Sequence, residues 1–533
     1  MSETAPAAAP GADADRASRP PAAPATKPAT KSGLIEVIER RPQAAFGTFL
    51  IAHFAVWTVL PALLYANLPL DLIEALTYGR EWQLGYDKLP PLPWWLVEIA
   101  HRLFATDAAY YALAQIVVVI GFALVFATAR PLCGAVGALA AVLIVDGFHY
   151  FQYTAVKFNH DVIQLPFWAL AGYAFHAALK RGRLGHWALL GIAFGGALWA
   201  KYFVVVLALP YALFLLCDRQ ARPALRGPGP WLALAVALLI AAPHVVWLFA
   251  TDFLPFAYAS HRAAAVRGWF DHILHPAAFA VSQIFFALPA LFIAAALFWP
   301  RSQRPPDPLP SLLPQGVKVD SFDRRIVTLL AFGPALTMIA LTAASGRGAV
   351  AMWGYPLWLF LGLWLVMIAP VVLDSARLTR IVTAWAAVFA VFIVVFVADY
   401  SVLPAFDHRY RAVFFPGDKL GEALTERFRA ATGAPLRYVI GSMWDAGNLA
   451  HYSPDQPRVL IDGLPNRAPW IDLADLGNKG AVAVWTQGNP KELPAEFAPF
   501  AANAVVGAPF DLPMRRGSGA VHVGWAILQP AQH

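Results

Sequence analysis

Residues 66–108 read ANLPLDLIEALTYGREWQLGYDKLPPLPWWLVEIAHRLFATDA and separate the first apolar run of the chain, Ala45–Tyr65, from the second, Ala109–Ala127. A connection between neighbouring helices needs only a few residues, and loops this long are as a rule functional or structured in their own right. Leu72, Ile73, Leu76 and Trp82, set against Glu74, Arg80 and Glu81, predict an amphipathic helix lying along a membrane surface. A second is predicted around Trp94–Phe104. Leu89-Pro90-Pro91 separates the two, because proline lacks an N–H and fixes the chain.

Outward from this loop the chain is strongly apolar. Of its 533 residues 59% are hydrophobic and 14% charged, where a soluble globular protein carries about 25% charged residues. The mean hydropathy is +0.55, and the 19 Trp and 36 Phe suit lipid and headgroup contacts. Crossing a bilayer takes roughly 20 apolar residues. About eleven segments meet that need, from Ala45–Tyr65 to Ile381–Ala398, with Trp187–Ala200 and Tyr202–Cys217 short and closely spaced. Alternate connections collect basic residues: Arg40/Arg41, Arg130, Lys180/Arg181/Arg183, Arg219/Arg222/Arg226, Arg301/Arg304/Arg324/Arg325 and Arg377/Arg380. Such a bias places those loops and the N-terminus in the cytoplasm. It also accounts for the net charge of +7 without a nucleic-acid partner. Cys133 and Cys217 fall at cytoplasmic helix ends, where free thiols are expected.

Residues 1–40 are Ala, Pro, Thr and Ser with scattered charge, and are expected to form a disordered cytoplasmic tail. Residues 41–400 form the transmembrane domain, with 66–108 as its first outside loop. An odd number of spans leaves 401–533 outside the cytoplasm. There Gly, Pro, Asn and Asp return, and PLRYVIGSM, PRVLIDG and GAVAVWTQG read as short strands between turns. With the amphipathic stretch Lys419–Ala431 they predict a small α/β domain. The fold class is thus a mainly α membrane protein with a small extracytoplasmic α/β domain. The lack of an internal repeat weighs against an inverted-repeat transporter.

Three outside-facing residues carry the chemistry. Asp71 follows the first span at the boundary of bilayer and water, where partial desolvation can make a carboxylate a proton acceptor. The competing reading is an N-cap, with Glu74 completing a capping box. Asp161, in KFNHDVIQLPF, is either a site carboxylate or another cap. Lys201 lies between two closely spaced spans, where it either snorkels or finds an anion such as a lipid-linked phosphate.

These residues resemble a known pattern. Asp71 followed by Gly85-Tyr86-Asp87-Lys88-Leu89-Pro90-Pro91-Leu92 and Trp94-Trp95, then Asn159-His160-Asp161 and Ala200-Lys201-Tyr202, is similar to the GT-C glycosyltransferases of the protein mannosyltransferase and aminoarabinose transferase group (glycosyltransferase family 39 and its relatives). The likeness covers roughly residues 45–220; Leu72 and Leu89 stand where many relatives have Glu and His. The resemblance implies a GT-C bundle and an inverting transfer of a sugar from a polyprenyl-phosphate donor to lipid A, another glycolipid or a protein. It places the reaction at the periplasmic face of a bacterial inner membrane. Asp71 would be the base, and Lys201 and Lys88 the cations at the phosphate. Arg262 and Arg347 are further cations on outside loops, or ordinary solvated charges. Tyr86, Asp87, His160 and Asp161 would line the donor or acceptor site. No cofactor is required, though Asp161 with Asp87, and His160 beside them, leave room for a divalent cation. The alternative is a transporter or flippase of a lipid-linked sugar. In the C-terminal domain, Asp445, Asn448 and His451 line an acceptor cleft or sit on a surface loop, and the domain can act as a lid.

Overall fold

The computed structural model of the chain describes residues 2, 4, 33–256, 258, 265–299, 320–369 and 373–531. Arg262, Arg301 and Arg304 and nearly all of the expected N-terminal tail lie outside the described residues. The last eight residues expected to belong to that tail instead form helix α1 (Gly33–Arg40), which turns Ile35 and Ile38 inward against the bundle.

All the apolar segments found in the sequence lie on helix. They are α2 (Pro42–Leu64), α5 (Asp107–Asp146), α6 (Gln164–Arg181), α7 (Leu184–Ala200), α8 (Val204–Cys217), α9 (Gly229–Ala250), α10 (Asp271–Phe298), α11 (Ser321–Ser345), α12 (Leu361–Ile368) and α13 (Ser375–Val397). Among the described residues six are long and apolar enough to cross a membrane. A seventh span arises if the 3-10 helix Ala351–Trp358 and α12, bent by 52°, count as one. Two of the expected spans share α5, whose 40 residues are broken at Cys133 and Gly134, the latter at φ 71°. Leu238, Leu239, Val246, Phe249, Ile284 and Phe285 point outward. So many exposed apolar side chains on α9 and α10 call for a lipid surround rather than water. Cys133 and Cys217 are free thiols.

The first loop holds α3 (Leu70–Gly79) and α4 (Leu92–Phe104), parted at Pro90-Pro91 as the sequence predicts. Their surroundings differ from the prediction. Helix α3 does not lie on the membrane: Leu72, Ile73, Ala75, Leu76, Thr77, Tyr78 and Gly79 are all buried. One flank is closed by α4, which crosses so closely that a Cβ on Gly79 would lie 2.4 Å from the Trp94 carbonyl oxygen. The other is closed from the C-terminal unit, beyond the reach of local periodicity. Helix α4 is the surface helix of the pair, with Ile99, Leu103 and Phe104 exposed on one side and Trp94 and Val97 buried on the other.

The C-terminal unit is α/β as expected. Helix α14 (Gly417–Thr432) leads into β1 (Tyr438–Gly441), α15 (Asp445–Tyr452), β2 (Arg458–Ile461), α16 (Leu473–Lys479) and β3 (Ala481–Trp485). Strand β1 pairs in parallel with both β2 and β3, and its residues are buried throughout, as a strand covered on both faces must be. Three further strands, β4 (Ala504–Val506), β5 (Phe510–Pro513) and β6 (Ala520–Leu528), complete a sheet of order β2-β1-β3-β6-β4, with β5 also on β6. The segment read as a surface loop or cleft around Asp445 and Asn448 is α15, and both side chains are buried. Helix α15 packs across α3, where a Cβ on Gly447 would come within 2.7 Å of Ile73 Cγ2 and 2.9 Å of Thr77 Oγ1.

Candidate active site

Asp71 sits in the first turn of α3, but Pro69 is the residue that caps the helix. Glu74 does not reach back to form a capping box; its Oε2 accepts from Lys88 Nζ at 2.9 Å. The capping account of Asp71 therefore fails, and its carboxylate is turned to other company. Asn159 donates to Asp71 Oδ2 at 3.0 Å, and the same side chain accepts from the backbone N–H groups of Asp161 (2.9 Å) and Val162 (3.1 Å). That turn holds Asp161 where Lys201 Nζ bonds its Oδ1 at 2.6 Å. A continuous chain of contacts thus runs from Asp71 through Asn159 and Asp161 to Lys201.

The position of Lys201 follows from the break between α7 and α8. It leaves the helix in extended conformation (φ −167°, ψ 146°), directing its side chain between the ends of the bundle. The ammonium lies 5.5 Å from the ring centres of both Phe203 and Trp353, and the residue is only 8% exposed. It neither snorkels to water nor stands unpaired. Tyr150 and Tyr355, with ring centres 4.7 Å apart, lie within electrostatic reach of Asp161.

The loop between α3 and α4 supplies a second set of charges. Lys88 pairs with Glu74, and burial pushes the Glu74 carboxyl above its ordinary range while Lys88 opposes the shift. Asp87 accepts from the Tyr78 hydroxyl and, at 2.8 Å, from Arg467 Nε of the C-terminal unit. Arg467 also pairs with Asp462. Asp87 is thus engaged by an arginine with no local signal to place it there, and is not joined to Asp161 by any contact among the described residues.

Other candidates play structural parts. Tyr86 is buried, donates to the Tyr78 carbonyl at 2.7 Å and packs against Trp94 and Trp470. His160 is buried edge-on against Trp94, with Nε2 3.0 Å from the Pro90 carbonyl. Burial depresses it to about 3, so the ring is neutral and Nε2–H donates. It fastens the second loop to the first. Arg347 lies on the connection that leads to Trp353, but no described contact joins it to Asp71, Asp161 or Lys201; Arg262 is outside the described residues. Among the described residues no three His, Cys, Asp or Glu side chains gather as a metal site would need. The two residues that sequence reasoning missed are Asn159, visible only as a neighbour of His160-Asp161, and Arg467, which has no local signal. A cavity of about 610 Å³ begins at Leu70, next to Asp71, and is lined from the C-terminal unit by Arg411, Trp444, Thr486 and Arg516.

The family described as dolichyl-phosphate-mannose-protein mannosyltransferase matches residues 88–247, which take in Lys88, Asn159, Asp161 and Lys201. No curated protein sequence matches the chain. The crystal structure of ArnT from Cupriavidus metallidurans in the apo state superposes with a TM-score of 0.58 at 13% identity, over 92% of this chain and 100% of that one. The same protein bound to undecaprenyl phosphate gives 0.59 at 13% identity, over 92% and 99%. The chain is a multi-pass membrane protein with the fold of the ArnT structures, and its residues 88–247 match the mannosyltransferase family model.

Proposed function

We propose that the chain is an inverting glycosyltransferase that moves a hexosyl or pentosyl group from a polyprenyl phosphate to an envelope acceptor (lipid A, another glycolipid or a protein) at the periplasmic face of the bacterial inner membrane. In this reading residues 41–400 are the catalytic domain, the N-terminus is cytoplasmic and residues 401–533 are periplasmic. The likeness to an ArnT structure bound to undecaprenyl phosphate supports the carrier class.

One observation carries the assignment of the base. Of the four candidate-site carboxylates, Asp71, Glu74, Asp87 and Asp161, three have a cation among the described residues: Glu74 has Lys88, Asp87 has Arg467 and Asp161 has Lys201. Asp71 has the neutral amide of Asn159. A carboxylate already paired with an ammonium or guanidinium is a poor proton acceptor, because taking the proton would forfeit the ion pair. Asp71 forfeits one hydrogen bond.

In the reaction, Asp71 takes the proton of the acceptor hydroxyl as that oxygen bonds to the anomeric carbon. The bond from that carbon to the phosphate oxygen breaks on the opposite side of the sugar, so configuration inverts. The carrier departs as a phosphate already stabilised as an anion, so no general acid is needed. Lys201 meets the growing negative charge in a poorly hydrated place, where such an interaction counts most. Asp161 holds that ammonium in position until the phosphate shares it. The acceptor approaches through the cavity that begins at Leu70.

The test is transfer by the purified protein carrying Asp71→Asn, followed by mass spectrometry of the acceptor for a sugar increment. Loss of transfer by a factor of roughly 100 or more, with donor binding and thermal unfolding preserved, is the expected result. Transfer at the normal rate removes Asp71 as base. Movement of the intact donor across the bilayer without cleavage replaces the enzyme by a flippase.

A further inference from the structure

A second polar cavity, of about 370 Å³, lies at the seam of α3, α4 and α15. It is remote from the reaction centre: Arg80, on its wall, follows Asp71 by nine residues along α3 and its C-cap, roughly 13 Å at the rise of a helix. Arg80, His101, Arg102 and His451 face it, with a single carboxylate, Glu98. That carboxylate is taken, since Arg102 Nε bonds it at 2.7 Å.

Arg80 is the unusual member. Its guanidinium donates to the carbonyls of Gln456 (2.8 Å) and Pro457 (3.0 Å), which fix the planar group against the C-terminal unit without neutralising it. Its neighbour Glu81 is engaged by Arg458. Among the described residues Arg80 has no carboxylate at ion-pair distance. A partly buried guanidinium without a counter-charge is costly, and an anion relieves that cost. His451 adds a donor rather than charge: burial, with His101 and Arg80 nearby, holds it down to about 4. Donors thus converge from α3, α4 and α15, more than the two oxygens of a carboxylate can accept and suited to the several oxygens of a phosphate.

The surroundings indicate where that phosphate comes from. Arg102 lies over the ring of Trp82, which is itself 43% exposed. The face of α4 turned away from the cavity shows Ile99, Leu103 and Phe104. An exposed apolar helix face beside a tryptophan and arginines belongs at the level of lipid headgroups. We propose that this cavity binds the phosphate of an anionic lipid headgroup, at a site separate from the Asp71 centre and independent of sugar transfer.

The experiment uses the full-length protein in detergent micelles and short-chain phosphatidic acid as the probe. Phosphatidylcholine of the same chain length is the control, inorganic phosphate the competitor, and native mass spectrometry counts bound lipid. Arg80→Gln and Arg102→Gln are each expected to weaken phosphatidate binding about tenfold, as loss of one charge-assisted contact does. Lys201→Gln is expected to leave that binding intact, whatever it does to the donor. Arg102 is on the surface side of the cavity, so its variant keeps the question open to test if Arg80→Gln fails to fold. Competition by inorganic phosphate supports recognition of the phosphate itself. Inorganic phosphate that binds where phosphatidate does not overturns the lipid source. Equal binding of phosphatidylcholine, or loss in Lys201→Gln with both arginine variants normal, overturns the site.

Discussion

Asn159 and His160 are adjacent in the chain and do different work. The first presents its amide to Asp71 and so orients that carboxylate without changing its charge. The second is sealed against Trp94 and the Pro90 carbonyl. Because burial holds His160 near 3, against its ordinary 6.5, the folded protein excludes a proton that the unfolded chain accepts. The stabilisation from this fastening is therefore whole above about pH 6.5 and is lost progressively as pH falls from there towards 3. The unfolding temperature of the solubilised protein should accordingly drop between pH 6.5 and 4. His160→Gln, which keeps a donor but does not titrate, should flatten part of that slope. Parallel curves for the two proteins would show that His160 has no part in it. The sequence made Asp71, Asp161 and Lys201 legible because each breaks a local rule, a charge standing at a helix end beside the bilayer. The burial of His160 against Trp94 was not legible, since ligand and buried fastener are the same residue type in a string of letters.

At the level of elements, α3 shows what periodicity can and cannot tell. Its existence and the proline stop before α4 follow from local chemistry, though it ends at Gly79, short of the Trp82 read into it. Its burial on every side does not, because the covering helix, α15, lies hundreds of residues away. The crossing depends on Gly447, whose missing side chain lets α15 approach Ile73 and Thr77. Gly447→Val should lower stability by about 1–3 kcal/mol, the usual effect of overfilling a close contact. Sugar transfer should fall further than stability does, since α3 carries Asp71 at its first turn. Measuring unfolding and transfer on one preparation checks this; a variant that unfolds earlier but transfers normally at low temperature would uncouple α15 from the site. The strands read from the sequence, β1 to β3, are short runs of β-branched residues between turns. Strands β4 and β5, of three and four residues, are too short to read alone and pair only with β6.

On the scale of the molecule, the C-terminal unit is part of the site's wall. Arg467 holds Asp87, Arg458 holds Glu81, and Arg411, Trp444, Thr486 and Arg516 line the cavity that reaches Leu70. A chain ended after Ala405 should therefore bind membranes and lose sugar transfer altogether, with α3 open to protease attack. Undiminished transfer by the shortened chain would make the unit dispensable. None of this wall was visible from the residues that make it, for a lone arginine in a loop resembles any other.

Asn67 donates to Asn448 across 381 positions of sequence. The ribosome delivers the first partner early and the second near the close of synthesis, and folding of the intervening bundle proceeds meanwhile. During that interval α3, which carries Asp71, has one flank uncovered. Competence consequently arrives last. If the proposed transfer is the activity, a nascent protein threading through the insertion machinery should be chemically silent until its final portion docks, and half-made copies should spend no carrier-linked sugar.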